Sequence, residues 1–576
     1  MKKNICASAF LLFVLGCSNS ESPVGMDSMQ VAESNVNVLT SAIVSDPSLD
    51  PYTVENMNKA MRKTVLAKTS TMDSLEVESM ELKPNYLYVR FLVNGKAELA
   101  ELKSRDTTVV YFKHPMDYKP IKKPAVYVDP TLPDSVRAYF ATVPVDFDFG
   151  TTKHDVIKEL YLVEPLDGDE EEQDSVSAVR SLLKKAAPGN SVVEKLASMG
   201  ISLQEVELAS LEMTGTLSGR LSSNFDNHKI GDRPKLAWSL FSSAKKLGGQ
   251  LKFEDDFLGE QPLVGVRVTG GYSYYWREAH TDEEGKFKIP EKWSFDIDYE
   301  ANFDSDEFLL EDGHSVYGED LEIEKNDKHS DWKETFTGNK AKWCVVWTAA
   351  YQYYYGNIDG LYRPRQNEWY NFSLDIQVYY KSDSKKYIWW GASPDASYDY
   401  IPTLADWVEI NTKNRKSREI YANVMHELTH SAHYENMTTH QWYFPQSIEF
   451  YQLPTRLKES YAVGLDYYFQ KKRYGKLGGA GWDGYGRVYD YWSENGYTGI
   501  VEDLMDSDNL YAKDVGKSKI SGETVSGFTL DELEKAFVHS TSWDELKKYI
   551  KKNYPANATR KYTSASLDNL FKYWSK

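Results

Sequence analysis

The order of apolar and polar residues divides the chain into segments with different structural signals. Short apolar or alternating runs at 86–93 (YLYVRFLV) and 107–114 (TTVVYFKH) predict β-strands. Helical periodicity predicts helices at 52–67, 174–186 and 191–199. We therefore predict a compact α+β N-terminal domain over residues 76–212, in which we identify no catalytic residues.

The following segment, 213–330, carries strand signals throughout. GGQLKF (248–253) and PLVGVRVTGG (262–271) precede HTDEEGKFKIP (280–290), where an acidic glycine turn opens another alternating run. This pattern predicts a small β-sandwich. The order P-L-x-G-V-x-V followed by T-D-x-x-G-x-F-x-I-P resembles the carboxypeptidase regulatory-like domain, a transthyretin-like sandwich. Because that family is mostly structural or adhesive, the resemblance implies no catalytic residues here.

The last segment, 331–576, mixes strand and helix signals. FSLDIQVYYK (372–381) and DWVEINT (406–412) alternate like strands, and SREIYANVMHELTHSAHYE (417–435) has helical periodicity. Further helices are predicted at about 456–472, 530–538 and 543–553. The last two begin with the capping-box pairs Thr529 with Glu532 and Ser542 with Glu545.

Length and charge narrow the classes of protein that fit. At 576 residues the chain exceeds the roughly 250 to 300 residues at which single cores stop growing. With 41% hydrophobic and 27% charged residues, the composition is that of a folded, water-soluble protein. Together with the length and the mixed strand and helix signals, this predicts a multidomain α+β protein. The net charge of -19 repels phosphate groups, so we expect no nucleic-acid partner.

The N-terminus has the pattern of an export signal. A basic start and a short apolar run end in Val14-Leu15-Gly16-Cys17, which resembles a bacterial lipobox. The resemblance implies a signal peptide over 1–17, lipidation of Cys17, and a tether with a helix over 18–75. Ser18 in place of Asp implies an outer-membrane lipoprotein of a Gram-negative bacterium, on either face, held by its lipid alone. The alternative is an ordinary secretory signal cleaved nearby.

Cysteine usage adds one expectation. The chain has three cysteines, of which Cys6 would leave with the signal and Cys17 would carry lipid. Cys344 would then have no disulfide partner within the chain, and its apolar neighbours favour a buried structural thiol over a nucleophile.

The chemical signal of the sequence lies in YANVMHELTHSAHYEN, residues 421–436. Residues four apart share one helical face, so His426 and His430 can direct both imidazoles at one ion. Glu427 follows the first of them and can take a proton from water. The alternative is a helix whose histidines make ordinary hydrogen bonds.

A catalytic zinc site needs a third protein ligand. The metzincin pattern requires glycine and histidine where this chain has His433 and Asn436, so that class is excluded. His433 on the same helix is better placed beside the ligands or in the core. The remaining candidate for the third ligand is Glu459, near the start of the next apolar-periodic helix.

H-E-x-x-H followed by E-x-x-A on a second helix resembles the gluzincin clan of zinc metallopeptidases. The resemblance implies a zincin-like domain over 331–576, one Zn²⁺ per chain held by His426, His430 and Glu459, and Glu427 as general base. The acidic residue that such enzymes place four positions after the ligand is replaced by Val463. Asp466 is the candidate to hydrogen-bond a ligand imidazole in its stead, with an exposed helical aspartate as the alternative.

The sequence specifies less closely which residues would stabilise a transition state and which would bind a substrate. Candidate donors to a transition-state oxyanion are His440, Tyr461 and Tyr468, with His433 as a further supporting residue. The strand 406–412 can offer its edge to an extended peptide.

The resemblance implies a zinc metallopeptidase acting on a protein or glycoprotein, with endopeptidase activity favoured over exopeptidase activity. The alternative is an adhesin or glycan-binding lipoprotein on a metal-binding, non-catalytic scaffold, supported by the aromatic runs 351–356 and 387–391. A third alternative is a structural surface component without metal.

Overall fold

The computed structural model of the chain describes residues 50–69, 73–116, 132–133, 136–163, 191–217, 244–293, 295–313, 319–356, 358, 360–364, 374–379, 396–401, 405–437, 453–475, 498–505 and 525–575. The predicted signal peptide with Cys17, the predicted helix 174–186, the aromatic run 387–391 and His440 lie outside these residues.

The described part of the chain contains both helices and strands, with a long run of strands in its middle and a run of helices at its end. The helices are α1 Val54–Lys68, α2 Ser74–Glu78, α3 Lys96–Arg105, α4 Ser191–Ser198, α5 Leu203–Met213, α6 Gly338–Tyr355, α7 Ser417–Asn436, α8 Thr455–Tyr474, α9 Ile500–Met505, α10 Leu530–Val538, α11 Trp543–Asn553 and α12 Ser564–Trp574. The strands are β1 Tyr86–Val93, β2 Arg137–Pro144, β3 Lys153–Leu160, β4 Lys245–Asp255, β5 Gly259–Pro262, β6 Arg267–Tyr272, β7 Tyr275–His280, β8 Lys286–Trp293, β9 Ile297–Asn302, β10 Phe308–Asp312, β11 Glu319–Asp320, β12 Glu322–Lys328, β13 Trp332–Phe336, β14 Leu374–Tyr379, β15 Ala396–Ile401 and β16 Ala405–Asn411.

The first sheet is antiparallel, in the order β2-β1-β3. The predicted strand at 86–93 is confirmed as β1, but the predicted strand at 107–114 is wrong. In that segment Val109 bridges Arg277 of β7, whereas Phe112 bridges Phe140 of β2. Because its residues pair with two different strands in turn, the segment cannot continue along either of them.

Two four-stranded sheets follow, in the orders β12-β9-β6-β7 and β13-β4-β5 with β8 paired to β4. Their apolar faces meet where Tyr299 of the first sheet contacts Phe287 and Trp332 of the second, with ring centroids 6.0 and 5.8 Å apart. The second sheet crosses the predicted domain boundary at residue 330, because β13 pairs in parallel with β4.

The fourth sheet has the order β11-β10-β14-β16-β15, in which β10, β14 and β16 are parallel. The predicted strand at 406–412 is confirmed as β16. The expectation that it offers a free edge to a peptide is wrong, since β14 and β15 bind its two sides. Within the described residues, the outer strand on this side of the sheet is β15.

These elements form a mixed α and β protein with several sheets, as expected for a multidomain α+β chain. One contiguous apolar core extends from Tyr52, before α1, to Trp574 in α12. Cys344 is fully buried in this core and is a free thiol, and burial raises its pKa well above the ordinary value. In the part of the chain described, no helix is both long and apolar enough to cross a bilayer.

The two predicted capping boxes have different outcomes. At α10 the Thr529 hydroxyl accepts from the Glu532 amide and Glu532 accepts from the Thr529 amide, which confirms the prediction. At α11 the Ser542 hydroxyl accepts from the Glu545 amide, but the Glu545 carboxylate accepts from the amide and hydroxyl of Thr541 instead. The reciprocal half of that box is displaced by one residue.

Replacing Trp347 tests the core between α6 and the strands. Trp347 is fully buried, its indole donates to the Val264 carbonyl at 2.9 Å, and its ring lies 4.9 Å from that of Phe308. We expect Trp347→Ala to lower the free energy of unfolding by about 3 to 5 kcal/mol in chemical denaturation. Leu75→Ala, at a side chain that is 72% exposed, should change it by less than about 0.5 kcal/mol. Equal effects would contradict this assignment of the core.

Candidate metal centre

The α7 helix presents two histidines to one point. It packs against β15 and β16 and against the helices α6, α8 and α10, and His426 and His430 are 2% and 6% exposed. Because they are one turn apart, their imidazoles lie side by side, with the two Nε2 atoms 3.2 Å apart. Burial on this scale is unusual for histidines unless their nitrogens have partners.

The α8 helix supplies a carboxylate to the same point. Glu459 Oε2 lies 3.1 Å from His426 Nε2 and 3.3 Å from His430 Nε2. The two helices are antiparallel, since Tyr421 near the start of α7 contacts Tyr474 at the end of α8, whereas His430 further along α7 contacts Glu459 near the start of α8. The structure therefore brings together the three predicted ligands, as a group that can hold a metal ion.

Asp466 organises the first histidine. Its carboxylate is 1% exposed and its Oδ2 lies 3.0 Å from His426 Nδ1. A carboxylate only accepts, so His426 Nδ1 carries a proton. In the neutral ring, Nε2 is then the nitrogen that can bind a metal ion. Of the two alternatives considered for Asp466 from the sequence, the structure therefore has the contact with a candidate ligand imidazole.

The electrostatics of the group favour a cation. Burial by itself would raise the pKa of Glu459, but the His430 and His426 rings hold it well below its ordinary value. The carboxylate is therefore ionised, and its Oε2 lies at hydrogen-bond distance from the Nε2 atoms of both histidines. Acceptors converging in a buried site repel one another unless a proton or a metal ion lies between them.

Glu427 is adjacent to this group along α7. It follows His426, precedes His430 by three residues, and is 6% exposed. Positions three apart lie on neighbouring parts of one helical face, so Glu427 and His430 are close in angle around the helix. A buried carboxylate at this position suits a general base.

His433 lies outside the converging donors. It is 1% exposed, and its ring meets the edge of Tyr461 with centroids 5.3 Å apart. Burial, together with the neighbouring His430, lowers the pKa of His433 to about 3, so the ring is neutral. Its surroundings are those of a core residue beside the site.

Tyr461 is committed to a different partner. Its hydroxyl donates to Glu534 Oε1 at 3.1 Å, and its ring stacks on Phe537 with centroids 4.7 Å apart. Because the hydroxyl is fully buried against a carboxylate, Tyr461 is a poor candidate for an oxyanion donor. Tyr468 is only partly buried, and the structure gives no contact that assigns it this role.

Glu534 was not predicted from the sequence as a residue near the site. It is 1% exposed on α10 and accepts from the Tyr362 amide at 2.6 Å as well as from Tyr461. The signal was present, because Glu534 falls between the apolar positions Leu533 and Phe537 on the buried face of that helix. A glutamate in an apolar stripe needs donors.

No protein-family model matches this sequence, and no curated protein is significantly similar to it. The assignment of a function therefore depends on the chemistry of the site itself.

Metal uptake tests the converging donors. We expect the full chain to bind one divalent metal ion per molecule in equilibrium dialysis with elemental analysis, and His430→Ala and Glu459→Ala to lose it, since each removes a donor. His433→Gln, a change at a neighbouring buried histidine outside the donor set, should retain the ion. Retention by Glu459→Ala would mean that the third donor is another residue, and loss in His433→Gln would make His433 a ligand.

The pH dependence of stability tests Glu534. Burial raises its pKa from 4.5 to about 7, so the folded state binds the proton more tightly than the unfolded chain. Its contribution is therefore complete below pH 4.5 and declines until the pH passes about 7, a loss of about 3 kcal/mol. Glu534→Gln, which stays neutral, should flatten unfolding free energy measured against pH in this window. Exposed Glu81→Gln should follow the wild type, and parallel curves for Glu534→Gln would contradict the assignment.

Proposed function

We propose that this chain is a zinc-dependent metallopeptidase, with endopeptidase activity favoured, and that residues 331–576 form a zincin-like domain. The observation that carries the proposal is the spacing of His426 Nε2, His430 Nε2 and Glu459 Oε2, which are 3.1 to 3.3 Å apart. Donors about 2.0 to 2.2 Å from a tetrahedral zinc ion are themselves about 3.3 to 3.6 Å apart, so a small outward movement of the three side chains would admit the ion. Two imidazoles and one carboxylate are also a donor set that zinc uses in catalytic sites.

The site residues have two proposed roles, which are binding the metal ion and transferring a proton. His426, His430 and Glu459 would hold the ion, and Asp466 keeps the His426 proton on Nδ1 so that Nε2 faces the ion. When bound, zinc supplies a Lewis acid that polarises a carbonyl and lowers the pKa of water at the site. Glu427 would accept the proton of the attacking water and return it to the leaving amine.

Among the described residues, the position of β15 at the edge of the fourth sheet supports a polypeptide substrate. Antiparallel β15 lies next to β16, and α7 packs against both strands. The outer side of β15 has no partner strand within the described residues, so its main-chain groups can pair with an extended peptide. A strand edge binds the middle of a chain without needing a terminus, which supports endopeptidase activity on a protein or glycoprotein.

The remaining assignments are part of the same proposal. The two facing four-stranded sheets support a carboxypeptidase regulatory-like sandwich over about 213–330, extended by β13. The lipobox resemblance supports an outer-membrane lipoprotein anchored through Cys17. The net charge of -19 supports a non-nucleic-acid partner.

The adhesin alternative has less support. It depends on aromatic side chains available to a ligand, and in the run 351–356 Tyr355 is 40% exposed but Tyr353 and Tyr354 are 1% and 2% exposed. The latter two rings belong to the core, where Tyr354 stacks on Phe308. A scaffold that only bound metal would also have no use for Glu427 beside the first donor.

Glu427→Gln tests the proposed chemistry, because it removes the base and leaves the three donors in place. We expect cleavage of a peptide library, followed by mass spectrometry, to fall by about 10²- to 10⁴-fold. Metal content should stay at the wild-type level, which separates loss of the base from loss of the ion. A wild-type protein that binds zinc and cleaves nothing in the library would favour the binding-protein alternative instead.

A further inference from the structure

The active-site helix α7 begins at a residue that cannot cap it. The residue before its first turn is Lys416, whose side chain has no acceptor for the free amides of a helix N-terminus. Lys416 is also positively charged at the end where a helix favours negative charge. Within the first turn, the Glu419 carboxylate accepts the Lys416 amide at 2.8 Å. A second carboxylate, which accepts the amide of the first helical residue, comes from far away in the sequence.

That carboxylate is Asp256, in the turn between β4 and β5. The Ser417 amide donates to Asp256 Oδ1 at 3.0 Å, and the Asp256 amide donates to the Ser417 hydroxyl at 3.1 Å. The Lys416 ammonium lies 3.6 Å from Asp256 Oδ2. The hairpin turn therefore caps the helix of the two histidines across 161 residues of sequence.

The same turn holds the end of the second ligand helix. Asp255, 1% exposed, accepts the hydroxyl of Tyr474, the last residue of α8, at 3.0 Å. Asp255 also accepts the amides of Phe257 and Leu258, which fixes the shape of the turn. The Tyr474 ring meets Phe257 edge-on at 5.6 Å and Tyr421 of α7 at 5.7 Å.

Residues 255–258, here named the hairpin clamp, thus contact both helices that carry the donors. Ser417 precedes His426 by nine residues and Tyr474 follows the donor Glu459 by fifteen, or about 14 and 22 Å along the two helix axes. The donor atoms lie within 0.2 Å of a common spacing, at 3.1 to 3.3 Å. A small slide or rotation of α7 against α8 would break that spacing.

We propose that the hairpin clamp positions α7 against α8, so that the β4–β5 sheet is part of the metal centre's support rather than only a spacer. This inference rests on the proposed function for its purpose, but the mechanical claim stands on the clamp contacts. Asp256, Ser417, Asp255 and Tyr474 are positioning residues and touch neither donor atoms nor substrate.

The test compares full-chain variants by two readouts. Asp256→Ala removes the cap of α7. Tyr474→Phe removes the hydroxyl that donates to Asp255 of the hairpin clamp while keeping the ring. Asp256→Asn restores an acceptor, and Ser202→Ala removes an equivalent cap from the distant helix α5, where Ser202 caps the Glu205 amide. The readouts are amide hydrogen exchange of the metal-free chain and titration with Co²⁺, followed by its visible absorption bands.

We expect exchange at 426–430 and 459–466 to rise about fivefold in Asp256→Ala and Tyr474→Phe, as loss of a cap predicts. Co²⁺ affinity should fall by about tenfold with altered band intensities, as for other residues that support metal ligands. Asp256→Asn should restore most of both, and Ser202→Ala should accelerate exchange only in α5.

The proposal is overturned if folded Asp256→Ala and Tyr474→Phe keep wild-type exchange at these turns and wild-type Co²⁺ affinity. Should either variant fail to fold, Ser417→Ala, which removes one hydroxyl, replaces it. The proposal is then judged by the same hydrogen exchange and Co²⁺ affinity measurements. A wild-type chain that binds no Co²⁺ would contradict the proposed function, and the hydrogen exchange would still decide the clamp.

Discussion

The candidate site depends on the packing of α7 against α8, which brings two imidazoles and a carboxylate to one buried point. Each of these side chains alone is ordinary, but together they place three groups that can bind a metal ion within 3.1 to 3.3 Å of one another. Asp466 orients the first histidine by accepting the proton of His426 Nδ1. A cation or a proton between these groups offsets the cost of burying them together.

The rest of the molecule can be understood as support for that pair of helices. The fourth sheet and α6 form one wall, through packing of α7 on β15 and β16. On another side, Glu534 of α10 takes the hydroxyl of Tyr461, two residues after the carboxylate donor. At the far ends of the helices, the β4–β5 turn binds Ser417 and Tyr474. These supports come from parts of the chain widely separated in sequence.

Local sequence patterns predicted several elements, namely β1, β16, α7, α8 and α10, because those signals lie within single elements. The choice of Glu459 as third candidate ligand came from the resemblance of the H-E-x-x-H and E-x-x-A motifs to those of a known enzyme clan, and in the structure Glu459 lies beside both histidines. The strand expected at 107–114 failed since its residues bridge two different strands, Val109 to β7 and Phe112 to β2. Three features depend on contacts over long sequence separations, which periodicity does not encode. They are the position of β16 between two other strands, the hydrogen bonds that Glu534 accepts, and the capping of α7 by Asp256.

X-ray absorption at the zinc edge of the zinc-loaded full chain tests the central claim most directly, because it reports the donors themselves. The account predicts four light-atom neighbours at about 2.0 to 2.2 Å, with the outer-shell scattering of two imidazole rings. A sulfur neighbour at about 2.3 Å, six oxygen neighbours, or the scattering of one imidazole or none would contradict it.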